Sequence, residues 1–238
     1  MITLTNVTKK YGTKVAVNDI SLKIQPEKIF GFLGPNGAGK TTTIKMIVGL
    51  LKPDAGNIVL DGIDIQKNAI EAKRRTCYIP DNPELYETMT GKQYLNFVAD
   101  AYELDAATRK ERILHFSDEF ELTASLNDTI AGYSHGMRQK LCLIGALIVD
   151  PYLWILDEPM VGLDPKSSFR LKQLMREHCD AGKIVFFSTH VMEVAEKVCD
   201  TIAIIHHGKI VASGTLDDIR TSAQGEGSLE QIFLELTE

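Results

Sequence analysis

A glycine-rich stretch, Gly34–Thr42, constrains the fold of this chain more than any other part of the sequence. It reads Gly-Pro-Asn-Gly-Ala-Gly-Lys-Thr-Thr and follows the spacing G-x-x-x-x-G-K-T. The residues before it, Lys28–Leu33, predict a short buried strand, and Thr42–Leu51 has apolar residues at helical spacing. An ordinary glycine-rich turn before a helix would explain only part of this pattern. A strand, loop and helix in this order predict a phosphate-binding unit.

The residue types in this loop explain how it would hold a phosphate. Glycines let successive backbone N–H groups approach phosphate oxygens without a Cβ in the way. A helix that begins near Lys40 directs its free N–H groups and its positive dipole end at the same anion. Lys40 adds a charge for the β- and γ-phosphates, and the Thr41 hydroxyl is predicted to bind Mg²⁺. The predicted nucleotide-binding residues of the loop are Gly34, Pro35, Asn36, Gly37, Ala38, Gly39, Lys40, Thr41 and Thr42.

Net charge and cysteine usage narrow the classes of protein to which the chain can belong. Its 238 residues carry 26 lysines and arginines against 32 aspartates and glutamates, a net charge of −6. Because nucleic-acid binding relies on positive charge, we expect no nucleic-acid partner. The cysteines form no C-x-x-C pair and no signal peptide is recognised, so we expect a reducing, cytosolic setting. The longest apolar run, Leu141–Val149, is far too short to cross a bilayer, so a membrane role would require a partner chain.

Hydrophobic periodicity separates strand-rich parts of the chain from a helical part. Alternating apolar residues predict strands at Met1–Thr8 and Asp19–Ile24. From Gly91 to about Asp128 the apolar spacing is helical and no strand is indicated. This change of period predicts an inserted helical subdomain.

After that insertion, helices and strands alternate again. The predicted elements are helices at Met137–Val149, Pro165–Asp180 and Val191–Cys199 and strands at Tyr152–Leu156 and Lys183–Ser188. A hairpin is predicted about His207-Gly208, and no function is assigned to His206 or His207. The tail from Thr221 contains Gly and Ser and ends in Leu229–Leu236 at helical spacing.

Two acids directly follow one of the predicted strands, in the order Asp157-Glu158-Pro159. Open α/β sheets bind ligands at the carboxyl ends of their strands. Hydrolysis of MgATP needs one carboxylate that holds the metal and another that polarises the attacking water. We predict the metal role for Asp157 and the water role for Glu158. The alternative is two surface acids at a strand end.

Residue type alone leaves three further candidates open. Ser134 and Gly136 precede a predicted helix, where they serve either as an ordinary N-cap or as a second anion-binding helix start. Tyr11 is either a hairpin anchor, which is favoured when it is judged alone, or a stacking platform for a nucleobase. His190 follows a buried strand, where a histidine is more often structural. It shares a strand edge with the acid pair, so contact with the γ-phosphate or the water is the second interpretation.

Together these motifs resemble the ATP-binding subunit of an ATP-binding cassette (ABC) transporter over nearly the whole chain. The matching motifs are the Walker A loop at Gly34–Thr42, the signature at Ser134–Met137, Walker B at Leu153–Glu158, the D-loop at Gly162–Asp164 and the switch histidine at His190. Tyr11 resembles the aromatic that stacks on adenine, which reverses the earlier preference for a hairpin anchor. The family signature is usually Leu-Ser-Gly-Gly-Gln, whereas this chain has His135 and Met137 within it. Asp81 stands where the family has its Q-loop glutamine and is expected to bind Mg²⁺ through water.

The resemblance implies an α/β fold built as one ABC ATPase domain. Residues 1–90 and 147–220 are expected to form a P-loop NTPase core of the RecA type with an N-terminal antiparallel β subdomain. Residues 91–146 are expected to form the helical subdomain that carries the signature, and residues 221–238 a helical tail.

The resemblance also implies ATP and Mg²⁺ as cofactors and catalytic roles for Lys40, Glu158 and His190. Two such subunits, identical or not, would pair head-to-tail, with Ser134 and Gly136 facing the other subunit's ATP and Asp164 also near nucleotide. The second expected partner is a membrane permease, contacted through the loop Asp81–Thr90, which places the chain on the cytoplasmic face of the cell membrane. The chain is most similar to bacterial drug, bacteriocin or bacitracin-type exporters.

Two other classes of protein are weighed against a transporter subunit. A soluble ABC ATPase, for example of a cluster-assembly machine, would share the motifs but co-purify with soluble partners. A small-molecule kinase would share only the phosphate loop and has no use for Ser134 and Gly136 or for the Asp157-Glu158 pair. A non-hydrolytic binding module is disfavoured because Lys40 and both acids are present.

Overall fold

The computed structural model describes residues 1–222 and 228–237, and residues 223–227 and 238 fall outside that description. Its strands are β1 (Ile2–Tyr11), β2 (Lys14–Ile24), β3 (Ile29–Leu33), β4 (Ala55–Leu60), β5 (Ile63–Asp64), β6 (Thr76–Ile79), β7 (Leu153–Asp157), β8 (Ile184–Thr189), β9 (Thr201–His206) and β10 (Lys209–Gly214). Its α-helices are α1 (Lys40–Ile47), α2 (Ala69–Arg74), α3 (Gly91–Ala101), α4 (Ala106–Glu119), α5 (His135–Val149), α6 (Pro165–Asp180), α7 (Met192–Val198), α8 (Leu216–Ser222) and α9 (Leu229–Thr237).

A six-stranded sheet with the order β10-β9-β3-β8-β7-β6 determines where the candidate site lies. β3 pairs in parallel with β8 and β9, β7 pairs in parallel with β8 and β6, and β10 is antiparallel to β9. Parallel neighbours end at the same edge of a sheet, so the phosphate loop, the acid pair and His190 all emerge there. The predicted α/β class is confirmed.

A second, antiparallel sheet with the order β2-β1-β4-β5 confirms the expected N-terminal β subdomain. Its first two strands are longer than the apolar alternation predicts, because β1 continues to Tyr11 and β2 begins at Lys14. Tyr11 pairs directly with Lys14 across the hairpin. Backbone pairing extends the strands through a polar segment whose side chains are mostly exposed, and an alternation test cannot detect such a segment.

The two faces of the central strands form two apolar cores. Phe30, Phe32 and Phe186 share one core with the antiparallel sheet, and the Phe186 ring centroid lies 5.4 Å from each of the other two. Trp154 and Phe187 point to the opposite core, which the helices cover. Every residue of β3, β7 and β8 is buried, as expected for strands covered on both faces. Burial of each large side chain stabilises the fold by roughly 1.5–3 kcal/mol, so the packing of these cores holds the strand ends in position.

Three helices, α3, α4 and α5, correspond to the predicted helical subdomain. Thr90 and Gln93 form a capping box at the start of α3, and Asp105 and Ser134 cap α4 and α5 with their side-chain oxygens. Both α3 and α4 pack against α5, the helix that begins at the signature. The signature is therefore part of the packed helical layer.

Several local predictions need correction. The helix after the phosphate loop begins at Lys40 and ends at Ile47, short of the predicted Leu51, because Gly49 adopts a left-handed φ of 69° there. Two short helices, α2 and α8, were not predicted. The helix α9 agrees with the predicted helical tail, although residues 223–227 of that tail lie outside the described part. Across the two described ranges, no helix has the length and apolarity needed to span a membrane.

Candidate active site

The phosphate loop runs from Gly34 to Gly39 between β3 and α1 and depends on its glycines for clearance. A Cβ atom on Gly34 would lie 2.3 Å from the Ile205 carbonyl oxygen, and one on Gly39 would lie 2.6 Å from that of Ala16. Gly39 also has a φ of 114°, which only glycine adopts without strain. The loop is thus wedged between β9 and β2, and its backbone leads directly into the first turn of α1.

Lys40, the first residue of α1, directs its ammonium group back into the loop. Its Nζ donates hydrogen bonds to the carbonyls of Gly34 at 2.5 Å and of Pro35 at 3.2 Å. Burial lowers the pKa of Lys40, while the carboxylates of Glu158 and Asp157 act in the opposite direction. A buried ammonium held by neutral carbonyls is well placed to exchange them for phosphate oxygens.

A cavity of about 400 Å³ brings most of the predicted site residues together. The predicted residues among its lining are Tyr11, Pro35, Asn36, Gly37, Gly39, Lys40, Thr41, Thr42, Asp81, Asp157 and Glu158. Tyr11 stands at the end of β1 with 51% of its surface exposed, so its ring is open to stacking. Gly34 and Ala38 shape the loop without lining the cavity, and Ser134, Gly136, Asp164 and His190 also lie outside the lining.

Three oxygen-bearing side chains of this cavity could hold a divalent cation. Asp157 ends β7 and Asp81 follows β6, its neighbour in the sheet, while Thr41 is the second residue of α1. Burial raises the pKa of Asp157, and the nearby carboxylates of Glu158 and Asp81 add to that effect. A bound cation would relieve this repulsion, and hydroxyl and carboxylate oxygens are the ligands that Mg²⁺ prefers. The residues present therefore fit magnesium.

Glu158 is oriented by the end of the neighbouring strand, β8. Thr189 donates from its hydroxyl to Oε2 of Glu158 at 3.0 Å, and Nδ1 of His190 lies 2.8 Å from Oε1. The backbone N–H of Glu158 donates to the Ser188 carbonyl at 3.0 Å. Glu158 also has a φ of 49°, an uncommon conformation for a residue with a Cβ. Both carboxylate oxygens are thus engaged at the cavity rim.

The predicted signature residues lie on a different surface of the same chain. Ser134 is exposed and caps α5 by accepting a hydrogen bond from the Met137 N–H at 3.3 Å. Gly136 packs so closely on the D-loop that a Cβ would lie 2.7 Å from the Gly162 carbonyl oxygen. Neither residue lines the cavity that contains the phosphate loop.

One face of α5 packs against the segment that follows Glu158 and forms polar contacts with it. The His135 ring lies against Gly162, where a Cβ would come within 2.4 Å of its Cδ2 atom. Gln139 donates from Nε2 to the Pro159 carbonyl at 3.3 Å. Lys140 forms an ion pair with Asp164 at 2.8 Å, and Asp164 caps α6 by accepting a hydrogen bond from the Ser167 N–H. These two interactions hold the pKa of Asp164 well below its usual range. Three residues of α5 therefore contact the segment from Pro159 to Asp164, which includes the predicted D-loop.

Sequence reasoning missed several residues of the site. Lys14, Val15 and Ala16 of β2 and the turn His207-Gly208 line the cavity, although no motif includes them. Thr189 was missed as a partner of Glu158, and its one signal was its position directly before His190 in the chain. These contributions depend on strand order, which a linear motif does not report.

A glycine-rich loop on a parallel sheet, with an acid pair at the same edge whose glutamate is held by Thr189 and His190, defines a P-loop ATPase of the cassette type. Residues 17–161 match the family profile described as "ABC transporter". The chain belongs to this family, and it is an ATP-hydrolysing subunit of an ABC transporter.

Comparison with known proteins gives the same result at the level of whole chains. The linearmycin resistance ATP-binding protein LnrL of Bacillus subtilis is 37% identical over 226 residues, which cover 95% of this chain and 73% of LnrL. A solved structure described as the ATP-binding subunit of an ABC transporter is 35% identical, with a TM-score of 0.96 and full coverage of both chains. The ATP-binding cassette MJ0796, solved as a dimer in a post-hydrolysis state with ADP and Pi, is 25% identical with a TM-score of 0.82, covering 91% of this chain and 99% of MJ0796.

Proposed function

We propose that this subunit binds MgATP between its own phosphate loop and the signature of a second subunit, hydrolyses it with Glu158, and thereby powers an exporter. The observation that carries the proposal is the orientation of Glu158 by Thr189 and His190 at the rim of the cavity that contains Lys40. The similarity to LnrL, a linearmycin resistance protein by name, supports export as the direction of transport.

Within the cavity each side chain has a distinct task. Lys40 leaves its loop carbonyls and binds the β- and γ-phosphate oxygens. Tyr11 stacks on the base. Thr41, Asp157 and Asp81 would hold Mg²⁺, which would neutralise charge on the phosphates. Glu158 accepts a proton from the attacking water, and His190 keeps Glu158 in place while its exposed ring faces the γ-phosphate.

A second subunit completes the site, because Ser134 and Gly136 are separated from the cavity of their own chain. Ser134 is exposed at the start of α5, where free backbone N–H groups and the helix dipole favour an anion. Head-to-tail pairing would place this helix start over the γ-phosphate held by Lys40 of the other subunit. Each dimer would then contain two composite sites.

The loop Asp81–Thr90 is the proposed contact for the permease. Its Tyr86 is 57% exposed and meets the exposed Phe97 of α3 edge to face, with ring centroids 5.7 Å apart. Exposed aromatic pairs of this kind are typical of protein interfaces. A groove of about 400 Å³ beside them is lined by the loop residues Pro83 and Leu85 and by α3 and α5, so it can accept an apolar element.

The same loop is connected to the signature helix. Glu87 forms an ion pair with Arg138 of α5 at 2.8 Å, and the Ala131 N–H donates to the Glu87 carbonyl at 3.1 Å. A displacement of the permease contact would therefore reach the signature through Glu87 and Arg138. Attachment through the permease places the subunit at the cytoplasmic face of the cell membrane. The alternative, a soluble machine such as cluster assembly, would use this surface for a soluble partner.

The decisive experiment replaces Glu158 by glutamine, which keeps the shape of the side chain and removes its ability to accept a proton. Glu158→Gln should bind ATP, lose turnover and accumulate as an ATP-bound dimer in gel filtration. Glu193→Gln, a charge-matched change at an exposed position of α7, should behave as wild type. Normal hydrolysis by Glu158→Gln would overturn the role of Glu158. Co-purification from membranes with a polytopic partner, against soluble partners only, separates the transporter from the cluster-assembly alternative.

A further inference from the structure

The hairpin turn between β9 and β10 lies at the rim of the nucleotide cavity, which His207 and Gly208 help to line. Two backbone hydrogen bonds fix this turn. The Gly208 N–H donates to the Ala38 carbonyl of the phosphate loop at 2.9 Å, and the Gly208 carbonyl accepts from the Asn18 N–H at 2.8 Å. The position of His207 relative to the phosphate loop is therefore set by the backbone.

Histidine is not the residue that this turn favours most. His206 pairs with Lys209, so the loop has two residues, and its φ angles of 45° and 76° are both positive. Two-residue turns of this kind favour Asn-Gly, because asparagine tolerates positive φ well. Gly208 has a steric reason to be glycine, since a Cβ there would lie 2.8 Å from the Ala16 carbonyl oxygen. His207 has no such steric reason, and its exposed side chain stands at the cavity rim, where it can meet a ligand.

The neighbours of His207 indicate which part of a nucleotide it faces. Its turn adjoins Ala16 of β2 and Ala38 of the phosphate loop. Ala16 lies in β2, which pairs with the strand that ends at Tyr11, the residue assigned to the base. Ala38 lies in the loop just before Lys40, which is assigned to the β- and γ-phosphates. The His206 ring packs against the His207 ring at 4.0 Å between centroids, which restricts its rotation. The sugar and the α-phosphate connect these two parts of a nucleotide.

We propose that His207 is a nucleotide-binding residue whose imidazole N–H donates a hydrogen bond to the sugar–α-phosphate part of ATP and ADP. An imidazole offers at least one N–H donor in either protonation state. Lys14 on the same cavity lining adds positive charge to the site. The proposal rests on the proposed function, because it uses the positions assigned there to Tyr11 and Lys40.

The variant His207→Asn separates binding from folding, because the two effects have opposite signs. Asn-Gly suits the turn better than His-Gly, so the melting temperature should stay the same or rise. The Kd values for ATP and ADP, measured by calorimetry, should both increase by the same factor of about 3 to 10, as expected for one lost hydrogen bond. His207→Gly, which also tolerates positive φ, should show the same loss. Lys209→Ala, an exposed position outside the cavity lining, should leave both Kd values unchanged.

Each other outcome has a defined meaning. Unchanged Kd values in both His207 variants would overturn the assignment of His207. A loss for ATP without a loss for ADP would overturn the sugar–α-phosphate contact, because both nucleotides share that part. A wild-type chain that binds neither nucleotide would overturn the proposed function itself. If the wild type does bind nucleotide, unchanged Kd values in the variants overturn only the role of His207.

Discussion

The Thr189 hydroxyl donates a hydrogen bond to the Glu158 carboxylate at 3.0 Å. Thr189 ends β8, and Glu158 directly follows β7, the parallel strand beside it. The other carboxylate oxygen faces His190, and only 11% of the Glu158 side chain is exposed. The glutamate is thereby held in one orientation by protein groups alone. A general base that is already oriented loses little entropy when its substrate binds.

Thr189→Val tests this support, because valine has nearly the same shape and lacks the hydroxyl. We expect kcat for ATP hydrolysis to fall by about 10- to 100-fold, the range expected for a misplaced reacting group, with little change in the Kd for ATP. Thr189→Ser keeps the hydroxyl and should remain close to wild type. Steady-state kinetics and nucleotide titration measure the two quantities. Equal losses in both variants would show that the hydrogen bond has no part in positioning Glu158.

The composite site predicts a specific pattern of complementation. Lys40→Ala and Ser134→Arg homodimers should each be inactive, since every site contains one defective half. A mixed dimer has one site with both defects and one intact site. Because random pairing makes half of the dimers mixed, an equal mixture should recover at most about a quarter of wild-type ATPase activity. Inactivity of the mixture, with both variants folded and able to pair, would contradict the composite site.

Gly162→Ala should reduce turnover because the new methyl group meets the His135 ring. A Cβ at that position would lie 2.4 Å from Cδ2 of His135, and its φ of 80° adds strain. The second change His135→Gly removes the steric conflict, so the double variant should recover part of the lost kcat while the strain remains. A double-mutant cycle on kcat measures this coupling. Additive losses would mean that the ring and the D-loop act independently.

His178 predicts how stability responds to acid. Burial lowers the pKa of this histidine to about 4, Lys183 adds to the effect, and Asp150 opposes it. The unfolded chain therefore binds a proton at a higher pH than the folded chain does. The free energy of unfolding therefore keeps its full value above about pH 6.5 and decreases by up to ~3 kcal/mol as the pH falls toward 4.

His178→Phe should flatten this pH dependence, since phenylalanine has no group that binds a proton. It can also pack on Trp154, whose ring centroid lies 5.6 Å from that of His178. His115→Gln, at an exposed position, is the matched control. Urea denaturation between pH 7 and 4 gives the comparison. Parallel curves for wild type and His178→Phe would contradict a role for His178 in acid sensitivity.

Motif spacing predicted the parts of the site whose residues are consecutive in the chain. The loop from Gly34 and the pair Asp157-Glu158 were identified because their chemistry is local and their flanking strands are strongly apolar. The cavity contributions of Lys14 and His207 were not predicted, since they arise where the antiparallel sheet packs beside the β9–β10 turn. Thr189 became visible only with the strand order. Tertiary neighbours of this kind leave no periodic signal in a sequence.

The contacts of Gln139 with Pro159 and of Lys140 with Asp164 have a consequence for energetics. In the proposed dimer, α5 of one subunit closes one nucleotide site. The segment that α5 contacts follows Glu158, which belongs to the other nucleotide site. Any free energy that nucleotide at one site transmits through this connection must act equally in the reverse direction, because coupling between two binding equilibria is reciprocal. Nucleotide binding at the two sites should then be coupled, with a Hill coefficient that differs from 1 and moves toward 1 when Gln139 and Lys140 lose their contacts.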